Sequence, residues 1–122
     1  MRGSGLQLAT LTGAKLDGVD LRSGELQQAN MIDVRLVDAR LRGANAGGTP
    51  FTGSNLRRIQ AAGMSFVGAD LSGADARAAK LSGANLRGAN LRKADLRDAD
   101  FANADLRGAK LGNARLGGAD LG

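Results

Sequence analysis

A large apolar residue recurs at every fifth position of the chain, from Leu6 to Leu121, with no slip in register. These 24 sites hold 17 Leu, three Phe, one Met and three Ala, and the residue two positions earlier is Ala in 16 repeats. A period of five fits neither regular secondary structure. Five residues rotate an α-helix by about 500°, and an odd spacing on a flat strand puts successive side chains on opposite faces. The pattern therefore predicts a chain that turns a corner in every repeat.

Each five-residue repeat divides into inward and outward positions around its large apolar residue, the centre. The centre and the residue two before it are predicted to face inward, and the other three to face solvent. The position two after the centre is Gly in 12 of 23 complete repeats, and Asp or Asn in several others. Gly adopts positive φ without steric conflict and Asx residues tolerate it, so this position is predicted to form the corner.

From Ala69 to Gly122 the repeats read ADLSG, ADARA, AKLSG, ANLRG, ANLRK, ADLRD, ADFAN, ADLRG, AKLGN, ARLGG and ADLG. This run resembles the pentapeptide-repeat proteins, whose consensus is A(D/N)LxX. The resemblance implies an all-β fold, a right-handed quadrilateral parallel β-helix with four pentads in each coil. Residues 4–122 are then one domain of six coils, about 29 Å long at the usual strand spacing. Residues 1–3 are interpreted as a tail that could derive from an expression vector.

Three centres carry Ala instead of a large side chain, and all three lie in the middle coils. Stacking each coil on the next puts Ala46 between Leu26 and Phe66, so Phe66 is predicted to fill the space. Ile59 is predicted to restore the volume missing at Ala61. Ala76 follows Ala74 with no such compensation, which predicts loose packing there. Pro50 lacks a backbone donor and is predicted to weaken one ladder position or to mark a bulge in an irregular segment, 45–63.

The composition argues against catalysis, metal binding and disulfide bonds. There is no Cys or His and only one Glu, so a disulfide framework, a thiol nucleophile and the usual zinc ligands are absent. Outward Asp residues on a convex rod have no cleft that would shift their pKa, and no base is present to activate a Ser. We expect no catalytic residues, no metal and no cofactor. No signal peptide or long apolar stretch is visible, which predicts a cytoplasmic protein with no membrane association.

The chain is basic, with 17 Lys and Arg against 12 Asp and Glu and a net charge of +5. Arginines at equivalent positions of successive coils are predicted to stack in columns on the outer faces. One interpretation is a solvated surface that keeps the rod soluble, and the other is a strip for an anionic partner. Every aromatic residue is an inward Phe, which disfavours direct nucleic-acid binding because no base-stacking platform exists. The candidate partner-binding arginines are Arg22 with Arg42, Arg57 with Arg77 and Arg97, and Arg87 with Arg107.

Several pentapeptide-repeat proteins resemble duplex DNA in shape and bind DNA gyrase, which protects it from quinolone-type inhibitors. The resemblance therefore raises a topoisomerase as a candidate partner. This chain departs from those acidic rods because its net charge is positive and no loop interrupts its repeats. A local acidic patch near the C-terminal end could still serve this role. Its candidate residues are Asp95, Asp98, Asp100, Asp105 and Asp120.

The repeats run to both ends without a visible cap, and an uncapped solenoid exposes unpaired strands. We expect a homo-oligomer, such as a homodimer, formed through at least one end, with the regular C-terminal end favoured. The alternative is that the chain is a fragment of a longer protein. The candidate interface residues are Phe101, Leu106, Leu111, Leu116 and Leu121.

Together these observations predict a non-enzymatic interaction or scaffold solenoid that binds a protein partner through its outer faces. The alternative hypothesis is a DNA-mimicking protein that binds DNA gyrase or another topoisomerase and confers resistance to quinolone-type inhibitors.

Overall fold

The computed structural model describes residues 5–122, and these form a right-handed quadrilateral β-helix. The predicted tail, residues 1–3, and Ser4, the first residue of the predicted domain, lie outside the described residues. Within 5–122 there is no helix, and each strand is reduced to one bridging residue immediately before the centre. Every bridge is parallel and joins a residue to its equivalent four repeats later, as between Asn55 and Asp75. Four pentads per coil, implied by the family resemblance, are thus confirmed.

The bridging residues define four flat faces that run along the rod. We number them by these residues, in chain order. Face 1 carries Gly5, Glu25, Asn45, Ser65, Asn85 and Asp105; face 2 carries Thr10, Asn30, Pro50, Asp70, Asn90 and Lys110; face 3 carries Lys15, Arg35, Asn55, Asp75, Asp95 and Arg115; face 4 carries Asp20, Arg40, Gln60, Lys80, Asp100 and Asp120.

Each corner is a tight turn closed by a backbone hydrogen bond. In a representative turn the Ala74 N–H donates to the Leu71 carbonyl at 3.0 Å, and Gly73 between them has φ 67°. Positive φ at the third residue of such a turn favours Gly, as the sequence pattern predicted. The same conformation recurs at non-Gly corners such as Arg58, with φ 54°, and Ala78, with φ 57°. Ladder pairing on both sides of the corner therefore outweighs the intrinsic preference of these residues.

The core is a single column of inward side chains, as predicted. Inward residues between Leu21 and Phe101 are buried, whereas those in the first and last coils are only partly covered. The ring of Phe66 packs edge-on against Phe51, with centroids 5.8 Å apart and planes at 65°. Phe51 belongs to the same coil as Ala46, and Ala46 itself is fully buried.

The loose packing predicted at Ala76 is present. An apolar void of about 10 Å³ lies in the core, and its lining includes Ala74, Ala76, Leu56 and Leu96. Ala46 and Ala61 do not line this void, whereas Phe66 and Ile59 do. All of its lining residues are apolar, so a water molecule there would have no side-chain hydrogen-bond partner.

Pro50 removes one pairing without disturbing the register. Its carbonyl accepts the Met31 N–H at 3.0 Å, and it forms a bridge with Asp70, but no bridge joins it to Asn30 within the described chain. The prediction of a weakened ladder position is confirmed, whereas the alternative of a bulge is wrong. The irregular segment expected over 45–63 is also wrong, because its turns and other bridges are regular. Two inward hydroxyls mark it instead: Thr49 donates to the Leu26 carbonyl at 2.8 Å, and Ser54 has no partner.

Ala76→Val should raise the free energy of unfolding by about 0.5–1 kcal/mol, because its added methyl groups enter the void and leave water. Ala46→Val is the matched control, with the same change of side chain at a buried centre that does not line the void. It should lower stability by about 1–3 kcal/mol through overpacking. Urea unfolding monitored by circular dichroism measures both changes. Equal effects of the two substitutions would contradict this account of the core.

Candidate functional site

The outer surface consists of side chains in registered columns. Residues immediately before and after each centre point outward, and the bridges stack each one on its equivalent in the next coil. The predicted columns of Arg22 with Arg42, of Arg87 with Arg107, and of Arg57, Arg77 and Arg97 are therefore present. They lie on faces 4, 1 and 3, so the structure does not bring the seven arginines into one site.

The Asp or Asn side chain immediately before the centre stabilises the turn, a role that was not predicted from the sequence. Of the five backbone N–H groups in a regular repeat, only the one after the centre has no backbone acceptor. The side chain of Asp or Asn two residues earlier accepts it, as Asn55 does from the Arg57 N–H at 3.2 Å. The same Asx contact recurs in other repeats and completes the hydrogen bonding of the turn. The preference for D or N thus reflects backbone chemistry before any partner is considered.

Four of the seven predicted arginines are already paired within their own repeat. Arg77 donates from Nε and Nη2 to the two carboxylate oxygens of Asp75, at 2.9 and 2.7 Å. The same two-point pairing joins Arg22 to Asp20, Arg97 to Asp95 and Arg107 to Asp105. These arginines have lost much of their capacity to hold an external anion. Among the described residues, Arg42, Arg57 and Arg87 have no ion-pair partner.

These pairs lower the pKa of the aspartates. Hydrogen bonds from Arg97 lower the pKa of Asp95 to about 2, and those from Arg107 lower the pKa of Asp105 to about 2. Hydrogen bonds from Arg22 hold the pKa of Asp20 well below its ordinary value of about 3.9. Because the unfolded chain binds these protons first, the pairs stabilise the fold above about pH 4. That contribution is lost as the pH falls toward 2.

The five predicted acidic residues do not form one patch. Asp95 lies on face 3 and Asp105 on face 1, and each is paired with its arginine. The other three lie together at one side of the rod: Asp100 and Asp120 stack on face 4, and Asp98 occupies the corner beside it. Within residues 5–122, these three carboxylates have no ion-pair partner.

Face 4 and its adjoining corner also contain an open groove of about 630 Å³. Ala62 and Ala78 leave it space, because each short side chain stands in a column that carries Arg one coil earlier. The groove is lined by Arg22, Asp38, Arg40, Arg42, Arg58, Gln60, Ala62, Ala78, Lys80 and Asp98. Five of these side chains are cationic and two are carboxylates.

Three of the five groove cations are free. Arg22 is held by Asp20, and Arg58 donates to Asp38 of the preceding coil at 2.8 and 3.0 Å. In the described part of the chain, Arg40, Arg42 and Lys80 have no carboxylate within ion-pair distance. Of the five groove cations, only Arg22 and Arg42 were among the candidate residues predicted from the sequence. The coil-stacking rule, applied to the position before the centre, would have found Arg40 and Lys80.

The predicted end-interface residues differ in accessibility. Phe101 is buried beneath the last coil, with 2% of its surface exposed, and cannot contact a partner at the end. Leu106, Leu111 and Leu116 are half-buried, and Leu121 is 58% exposed. The first coil offers a similar surface, because Leu6, Leu11 and Leu16 are also only partly covered.

Neither a metal cluster nor a membrane span stands out in the described chain. Residues 5–122 hold no group of three or more carboxylates close enough to bind a metal ion. The same residues contain no helix with the length and apolar character that crossing a bilayer requires.

Comparison with known proteins agrees with the repeat architecture. The family model for pentapeptide repeats matches residues 25–58, 54–92 and 84–122, with eight copies. The search of curated proteins gives no match. Among solved structures, the pentapeptide-repeat protein Rfr23 from the cyanobacterium Cyanothece 51142 is similar, with 23% identity and a TM-score of 0.59. The match covers 91% of this chain and 90% of Rfr23.

A second similar structure is a trypsin-treated variant of QnrB1, a plasmid-mediated fluoroquinolone resistance protein. Its identity to this chain is 17% and its TM-score is 0.52, over 93% of this chain and 78% of QnrB1. At such identities both structures establish the shared fold alone.

Arg97→Gln should raise the pKa of Asp95 from about 2 toward the ordinary value of about 3.9, because its two charge-assisted hydrogen bonds are lost. The rise should be incomplete, since Arg77 and Arg115 remain 3.8 and 3.9 Å from Asp95. Carboxyl-carbon NMR titration of the folded protein measures the shift. Arg92→Gln makes the same charge change beside Asn90 and should leave Asp95 unaltered. An unchanged Asp95 in the Arg97 variant would contradict the pairing.

Proposed function

The chain belongs to the pentapeptide-repeat family, and we propose that it is a non-enzymatic scaffold that binds a macromolecular partner through its outer faces. The observation that supports this proposal is that inward and outward positions of the repeat have different roles. Inward side chains fill the core, and an open groove of about 630 Å³ lies on the surface. Outward side chains stand in columns at about 4.8 Å spacing on a rigid ladder. Such a surface is preorganised, so binding orders few backbone groups.

Ion pairing narrows the surface that could bind this partner. On face 3 the opposite charges within the Asp75–Arg77 pair, and within the Asp95–Arg97 pair, largely neutralise each other. A partner would have to displace these internal bonds before it gained new ones. Face 4 retains free cations in its groove and free carboxylates beyond it, so its charges remain available. Other faces of the described chain also carry unpaired cations, such as Arg87 on face 1 and Arg92 on face 2, so it is the groove that supports face 4 as the binding face.

The alternative, a DNA-mimicking topoisomerase partner, has weaker support. QnrB1 has a similar fold and is a fluoroquinolone resistance protein, but identity of 17% does not carry that role to this chain. Duplex DNA presents a continuous row of negative charge. Here two of the five candidate aspartates are neutralised by arginine, and the five are spread over faces 1, 3 and 4 and a corner. The net charge of +5 also gives the rod a field of the wrong sign.

The scaffold proposal is tested with four variants, each of which replaces two cations by Ala on one face. The pairs are Arg87 with Arg107, Arg92 with Lys110, Arg57 with Arg115, and Arg40 with Arg42. Partners are captured by cross-linking from host lysate and quantified by mass spectrometry. Wild type and three of the variants should each recover one partner in stoichiometric amount. The remaining variant, whichever face it alters, should lose that partner. Equal recovery by all four, or no stoichiometric partner, would contradict the proposal.

A gyrase supercoiling titration separates the alternative. The scaffold proposal expects no inhibition and no rescue from a quinolone. Inhibition or rescue without DNA binding at the same salt concentration would establish the topoisomerase role and overturn our choice. Inhibition that follows DNA binding in a parallel mobility-shift assay would show that the rod coats the substrate instead.

We further propose that the rod self-associates through its C-terminal end, because Leu111 and Leu116 are incompletely covered there and the repeats at this end are more regular than those of the first coil. Light scattering at micromolar concentration should give twice the chain mass of 12.4 kDa. Replacing both residues by Lys should give the single-chain mass, since a charge opposes burial at an interface. The same replacement at Leu11 and Leu16 is the control and should leave the dimer intact. A wild-type mass equal to one chain would exclude the dimer.

A further inference from the structure

The unpaired charges of face 4 are unevenly distributed along the rod, with the Asp20–Arg22 pair in its first coil and Asp98 at the far end of the groove lining. Its earlier coils carry the free cations Arg40 and Arg42, and Lys80 lies two coils after Arg40. Its last coils carry the free carboxylates Asp100 and Asp120, with Asp98 at the neighbouring corner. A solvated surface would gain more from interspersed signs than from this separation, because like charges repel along a column. The segregation points to a ligand of matching polarity.

We infer that the groove on face 4 binds an acidic peptide segment of a protein partner, whose carboxylates contact Arg40, Arg42 and Lys80. The inference rests on the proposed scaffold function and adds the binding site and its chemistry. The arginine guanidinium offers a planar fork that matches a carboxylate. The Gln60 side chain, between Arg40 and Lys80 in the same column, provides a neutral donor and acceptor for the peptide backbone.

Spacing supports an extended segment. Adjacent coils lie about 4.8 Å apart, so the column positions of Arg40 and Lys80 are separated by about 10 Å. Alternate side chains of an extended peptide lie about 7 Å apart, and long Arg and Lys side chains reach across the difference. Ala62 and Ala78 leave room for the peptide between the cations. The groove is open rather than enclosed, which suits a segment of chain better than a small molecule that must be buried.

The peptide would be held through side chains and not by strand addition. The backbone of face 4 is occupied by the ladder, since the Arg40 N–H donates to the Val19 carbonyl at 2.9 Å and the Gln60 N–H to the Ala39 carbonyl at 2.9 Å. No ladder position on this face is free for a partner strand between Arg40 and Lys80. Specificity must therefore come from charge placement, as in other acidic-motif sites built on arginine clusters.

A nucleic acid fits the groove less well. All three Phe rings are buried, so no aromatic surface is available to stack a base. A phosphate backbone that continued along face 4 would meet Asp100 and Asp120, which repel it. A short acidic segment that extends only from Arg40 to Lys80 ends before Asp98, Asp100 and Asp120, and basic residues that follow it would contact these carboxylates.

The probe is a short fluorescein-labelled peptide of alternating Asp and Gly, titrated with the full chain and followed by fluorescence anisotropy at low salt. The double variant Arg40→Ala/Arg42→Ala should weaken binding about five- to tenfold. Arg87→Ala/Arg92→Ala removes the same charge from faces 1 and 2 and should weaken it less than about twofold. A second variant, Lys80→Gln, should weaken binding by about two- to threefold and keeps the groove arginines.

Three outcomes would overturn the inference. Equal weakening by both double variants would show that only net charge matters. Tighter binding of a single-stranded oligonucleotide than of the peptide, lost in the Arg40/Arg42 variant, would assign the groove to nucleic acid. No peptide binding by wild type at low salt would leave the groove without the proposed ligand. In each case the face-by-face capture experiment can still succeed, because a partner lost with face 1, 2 or 3 would support the scaffold and exclude this site.

Discussion

The backbone ladder between equivalent residues of successive coils is the constraint on which the rest of the molecule depends. Within a regular repeat, the centre and the corner donate to the next coil, and the bridging residue donates to the previous one. Two N–H groups remain. The N–H of the first residue of the repeat closes the turn, and the N–H of the residue after the centre donates to an Asp or Asn side chain. This accounting explains the repeat length and the Asx preference together, because a shorter or longer unit would leave backbone groups unpaired in the stack.

The ladder also sets what individual residues can do. It holds Arg58 and Ala78 at positive φ, a conformation that ordinarily costs about 1 kcal/mol or more for such residues. It tolerates Pro50 by losing one bridge, since the neighbouring rungs keep the register. The same rigidity spaces the outer side chains evenly. The Asp75–Arg77 and Asp95–Arg97 pairs then follow from sequence adjacency, and they remove from face 3 much of the charge that a partner could use.

Surface charge in this rod is therefore decided by pairing more than by count. The excess of Lys and Arg suggests a basic rod, yet four candidate arginines are held by aspartates of their own repeats. Within residues 5–122, unpaired cations remain on every face, and face 4 carries three of them, Arg40, Arg42 and Lys80, around its groove. There, Ala62 and Ala78 in columns of longer side chains create the groove, and Asp100 and Asp120 lie beyond it in the last coils.

The period of five in the sequence predicted a corner in every repeat and an inward row of centres, and the resemblance of the repeats to a known family supplied the four-pentad coil and the columns. The sequence also located the loose packing at Ala76 and the weak rung at Pro50, since both follow from stacking each coil on the next. Only the tertiary structure decided which charges are free. Arg58 meets Asp38 across two neighbouring coils, a contact that depends on side-chain reach and that no local sequence pattern shows. The groove likewise required Arg40, Lys80 and the adjoining corner to be seen together, because their separation along the chain conceals their closeness on face 4.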